Sequence, residues 1–130
     1  MRDIIPIKME NGLPFIKLEL INNNKKIVLN HVLIDTGSAS TIFKLDSVKA
    51  IGLGAEQDDV IGKMLGVGGS EYVIYKTVDT IIIGNYTVHN YQINIGSMNY
   101  GINIDGMLGI DLLQEIKGII HLDKLFIEVN

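Results

Sequence analysis

The segment Asp35-Thr36-Gly37-Ser38 places a carboxylate, a hydroxyl, a glycine and a second hydroxyl directly after the apolar run Val32-Leu33-Ile34. That order has a chemical use. A carboxylate at the end of a buried strand is held rigidly, Thr36 can form a buried hydrogen bond, and Gly37 lets other backbone approach the acid closely. Ser38 is placed to donate to the outer carboxylate oxygen. The plainer reading is a β-turn, because Asp and Gly are common turn formers and Asp-x-Gly often occurs by chance.

Two downstream segments add to the first. Leu65-Gly66-Val67-Gly68-Gly69-Ser70 could suggest a phosphate-cradling loop, but such a loop must open a helix. Here Tyr72-Val73-Ile74-Tyr75 continues as a strand, and no Gly-Lys-Ser/Thr follows the glycines. A hairpin tip that bends over a ligand suits them better, with a plain surface hairpin as the alternative. The other segment is Asp105-Gly106-Met107-Leu108-Gly109-Ile110-Asp111, in which Met107 and Leu108 are expected in the core. Asp105 offers a second carboxylate, so a pair of Asp35 and Asp105 within one chain is conceivable. His31, His89 and His121 are isolated and share no metal-ligand spacing, so no metal is expected.

The elements that must position these residues read as short strands. Val, Ile, Leu and Tyr alternate with polar residues, and Gly, Asn and Asp punctuate the runs, an all-β pattern. Strands are expected over residues 4–9, 15–21, 26–34, 72–83, 86–95, 119–122 and 125–129. Turns are expected at Asn22-Asn23-Asn24, Gly84-Asn85 and Asp123-Lys124. Helix is expected only over 45–51 and 111–116, the second capped by Asp111.

With 130 residues, of which 47% are hydrophobic and 20% charged, the chain suits a single globular domain over residues 1–130. A net charge of -4 argues against nucleic-acid binding, which needs clustered Lys and Arg. No apolar run approaches the roughly 20 residues of a membrane helix, and Asp3, Pro6, Lys8 and Glu10 interrupt any signal-peptide pattern. The absence of cysteine excludes disulfides and thiolate chemistry and fits a reducing cytoplasm.

Taken in order, these motifs resemble the retropepsin-like aspartic peptidases, and through them one lobe of the pepsin-like enzymes. Ile34-Asp35-Thr36-Gly37-Ser38 resembles the family's hydrophobic-Asp-Thr-Gly-Ser/Ala motif. The segment from Asp105 to Asp111 is similar to the later apolar-apolar-Gly motif and its helix, and the one from Leu65 to Ser70 to the glycine-rich flap. The resemblance implies a closed acid-protease-type barrel with one short helix, assembled as a homodimer. Asp35 is then the catalytic residue, Thr36, Gly37 and Ser38 support it, and Thr36 braces the pair across the interface. Gly66, Val67, Gly68 and Gly69 form a substrate-binding flap. Met107, Leu108 and Gly109 form a structural loop beside the active site, and Asp105 is structural.

One Asp-Thr-Gly per chain means that the second carboxylate of the dyad comes from an identical partner across a two-fold axis. The chemistry needs no cofactor. The expected substrate is an extended peptide with apolar residues at the cut, in a groove formed by Ile34, Val67 and Gly68. The alternative is a non-catalytic module that binds peptides or proteins on the same fold. Two departures from the family stand out: an insertion between Ser47 and Lys63, and chain ends unlike the viral terminal strands. Residues 125–129 are the candidate for the dimer sheet.

Overall fold

The computed structural model describes residues 3–66 and 68–129. In chain order they form β1 (Asp3–Pro6), β2 (Lys8–Glu10), β3 (Leu13–Asn22), β4 (Lys25–Ile34), β5 (Ile42–Lys44) and α1 (Leu45–Val48). After a 3-10 turn at Lys49–Ile51 come β6 (Ile61–Gly66), β7 (Gly69–Ile83), β8 (Tyr86–Gly96), β9 (Gly106–Leu108), α2 (Ile110–Glu115), β10 (Ile119–His121) and β11 (Phe126–Val129).

Alternation decides what faces inward. Ile16, Leu18 and Leu20 of β3, Val32 and Ile34 of β4, and Ile81 and Ile83 of β7 enter one core, which Leu112 and Leu113 of α2 and Ile116 just after it cover. Each such side chain contributes about 1.5–3 kcal/mol on burial. Polar neighbours such as Lys17, Lys26 and Asn30 face out. A smaller cluster of Phe15, Ile42, Met64, Val73, Met98 and Ile104 packs under the β6–β7 hairpin.

The larger sheet has eight strands in the order β2-β3-β4-β9-β5-β8-β7-β6, and β3 also pairs with β7. The circuit β3-β4-β9-β5-β8-β7 therefore returns on itself, with β6 hung outside it as an edge. Two turns fix the long hairpins: Asn23 and Asn24, at φ of 51° and 61°, join β3 to β4, and Gly84, at φ of 60°, joins β7 to β8.

Several expectations need correction. The strand expected over 4–9 breaks at Ile7, whose N–H turns to the Leu125 carbonyl (2.9 Å), so β1 and β2 enter different sheets. The short strands β5 and β9, and β6, which begins at the end of the supposed insertion and runs past it, escaped the sequence reading. The helix expected over 45–51 is α1 followed by the 3-10 turn. Residues 125–129 do not offer a free edge for a dimer sheet, because β11 lies between β1 and β10 with both edges paired within the chain. Among the described residues, no helix is long and apolar enough to cross a membrane.

The segment before β6 is strapped to β7 by charge. Lys76 Nζ lies 2.6 Å from Asp59 Oδ1 and 2.7 Å from Glu56 Oε1. Its hydrogen bond with Lys76, then that with the Glu56 N–H, holds the Asp59 carboxyl below its ordinary 3.8. Burial works against the Lys76 charge, but its bonds to Asp59 and Glu56 outweigh it and raise the ammonium above 10.5. A lowered acid contributes above its unfolded value and is lost as pH falls; a raised base contributes below its unfolded value and is lost as pH rises. The strap should hold from about pH 4 to about pH 10. Lys76→Met should therefore expose residues 52–60 to limited proteolysis at neutral pH. Resistance equal to wild type would show that the ion pairs do not hold this segment.

Candidate active site

Asp35 sits where β4 leaves the sheet, and backbone bonds fix its place. β4 runs parallel to β9 with Ile34 opposite Leu108, and the Asp35 N–H continues that ladder to the Leu108 carbonyl (3.0 Å). The chain then turns tightly: the Ser38 N–H donates to the Asp35 carbonyl (3.2 Å), and the Gly37 N–H donates to the carboxylate Oδ1 (3.0 Å). The acid is half-buried and lines a cleft with Gly37, Ser38, Met64, Tyr100 and Met107.

The loop at the start of α2 closes against this turn from behind. The Ile110 N–H donates to the Ser38 carbonyl (2.9 Å), and the Gly109 N–H to Thr41 Oγ1 (3.0 Å). Thr41 Oγ1 in turn donates to Asp111 Oδ1 (2.7 Å), whose other oxygen accepts from the Tyr91 hydroxyl (3.2 Å). Burial and then the charge of Asp111 push the Tyr91 phenol up, so it keeps the proton it donates. Asp111 was expected to cap α2. Gly109 occupies the cap position instead, with no side-chain capping bond, and Asp111 serves the Thr41 network. Gly109 has no room for a side chain: a Cβ there would lie 2.6 Å from the Ser40 carbonyl carbon and oxygen.

The flap hairpin arches over the same cleft. Gly66 forms an antiparallel bridge with Ser38, and the pairs Gly66–Gly69 and Met64–Glu71 share one face of the hairpin. Gly66, Gly68 and Gly69 line the cleft, with Gly69 at φ of 128°, a conformation that favours glycine. Val67 lies outside the described residues.

Other candidate residues fall elsewhere. Ile34 is buried in the main core rather than the groove, because the alternation that points Val32 inward also points Ile34 inward. Leu108 is fully buried, whereas Met107 is only partly buried and lines the cleft. The Ser38 hydroxyl does not reach the acid; its one proton goes to the Ser40 carbonyl (2.8 Å). Thr36 is exposed and makes no hydrogen bond within the described residues. Asp105 does not line the cleft: its carboxylate accepts from the His31 N–H (3.1 Å) and Ser47 Oγ (2.8 Å), tying β4 to α1.

Sequence reasoning missed Met64, Glu71 and Tyr100. The Tyr100 hydroxyl donates to Glu71 Oε1, joining the 97–105 loop to the flap strand β7. Burial, then the bond to Glu71 and the charges of Glu71 and Asp35, push the Tyr100 phenol up.

This assembly has known counterparts. A sequence model of the family described as "Aspartyl protease" matches residues 19–112, which include Asp35, the flap and the loop before α2. A retropepsin-like aspartic protease from Rickettsia conorii shares the fold with a TM-score of 0.70 at 20% identity, over 99% of this chain and 94% of that one. A search of curated proteins found no match. The chain belongs to the aspartyl protease family, and its fold is retropepsin-like.

Proposed function

We propose that two copies of this chain form a two-fold dimer that hydrolyses peptide bonds, with Asp35 and the partner's Asp35 as its dyad. The observation that carries this reading is that a lone Asp-Thr-Gly carboxylate lines an open cleft while Asp105 is spent on structural bonds. The exposed, unpaired Thr36 suits a brace across the interface.

In the dimer, one carboxylate is ionised and its neighbour protonated, because two acids in contact share a proton. The ionised acid takes a proton from a water held between the pair, and the water oxygen attacks the scissile carbonyl carbon. The protonated acid gives its proton to the carbonyl oxygen, forming a tetrahedral diol. Collapse of the diol breaks the C–N bond as a proton passes to the leaving nitrogen. Gly37 N–H on Oδ1 orients the acid, and the flap glycines let backbone approach an extended peptide.

The test is sedimentation together with cleavage of an unfolded protein mixture from about pH 3 to about pH 8. A dimer whose specific activity falls on dilution is expected. Undiminished turnover by a monomer would contradict the shared dyad, and a stable dimer that binds peptides without cutting them would favour a binding module.

A further inference from the structure

Glu71 has no place in the reaction just described, yet it faces the same cleft. The register of the flap hairpin pairs it with Met64, on the face that carries Gly66 and Gly69, while Lys63, Leu65 and Tyr72 point to the outer side. Among the described residues lining the cleft, the ionisable acids are Asp35 and Glu71, and no Lys, Arg or His joins them.

Tyr100 occupies Glu71 Oε1, and no cation pairs with this carboxylate among the described residues. An extended peptide lying under the flap would displace water from it. A desolvated carboxylate without a counter-charge is costly, and a cationic side chain removes that cost. The surrounding walls fit such a guest: Met64 and Met107 offer apolar surface to a long aliphatic stem.

We propose that Glu71, held by Tyr100, forms a specificity subsite that selects a lysine or arginine side chain close to the cleaved bond. This rests on the peptidase reading and refines the expectation of purely apolar substrates. A guanidinium or ammonium can bond the Glu71 oxygen that Tyr100 leaves open.

The test uses peptides that differ only in carrying lysine, arginine, norleucine or glutamate at each position around the cut. Wild type should favour lysine or arginine over norleucine by about tenfold or more in kcat/KM at one position. In Glu71→Gln, whose amide oxygen still accepts from Tyr100, that ratio should fall to near one. Binding of the same peptides to Asp35→Asn, followed by fluorescence anisotropy, reads the subsite without chemistry. There the preference should persist, and Asp35→Asn with Glu71→Gln should lose it. Cleavage with no cationic preference, or a preference indifferent to Glu71→Gln, would overturn the subsite. A binding preference in a protein that cuts nothing would support the subsite and overturn the peptidase reading instead.

Discussion

Asp35→Asn should lower peptide hydrolysis by about a thousandfold or more while leaving fold and dimer intact, because proton transfer is lost and shape is nearly kept. The Gly37 N–H that now meets Oδ1 can donate equally to the asparagine side-chain oxygen, so the turn has no reason to open. Steady-state kinetics and sedimentation together check this. Asp105→Asn makes the contrast: its effect should fall on stability, because the carboxylate it alters accepts from His31 and Ser47 away from the cleft. If Asp105→Asn formed normal dimers and lost all turnover, a single-chain acid pair would have to replace the dimer mechanism.

The second large effect is expected at Gly109. A methyl group there would meet the Ser40 carbonyl at 2.6 Å and the Ser38 carbonyl oxygen at 2.9 Å. These are backbone atoms of the turn that carries Asp35, so no side-chain rotation relieves the clash. Gly109→Ala should cost about 3 kcal/mol of stability, read as a lower thermal midpoint. It should also lower activity, because separating the α2 loop from the turn that carries Asp35 breaks the bonds of Gly109 to Thr41 and of Ile110 to Ser38. Wild-type stability and turnover in this variant would show that the packing is not required.

What the sequence revealed, and what it concealed, follows from how each feature is encoded. Asp35 to Ser38 was legible because its chemistry lies in consecutive residues, and the long hairpins because asparagine and glycine mark their turns. The strands β5 and β9 have three residues each, too few for alternation to register, although β9 carries the carbonyl that anchors Asp35. Asp111 read as a helix cap because its true partner, Thr41, lies far away in sequence.

Ile34 was misplaced by proximity to Asp35, although the strand's own period assigns it to the core. The same period, counted outward from the flap glycines, would have found Met64 and Glu71. Tyr100 had no comparable signal, since residues 97–105 form no regular element and only folding brings them to the flap. Ser38 shows the limit of motif reading: the residue stands where expected, but its hydroxyl bonds the Ser40 carbonyl, a choice settled by local backbone geometry.

The shared dyad is tested most directly by mixing wild type with Asp35→Asn under conditions in which subunits exchange. The chance that a wild-type chain finds a wild-type partner equals the wild-type fraction, so a ninefold excess of the variant should leave about a tenth of the activity per wild-type chain. Activity per wild-type chain that stays constant at every ratio, with exchange verified, would contradict the account.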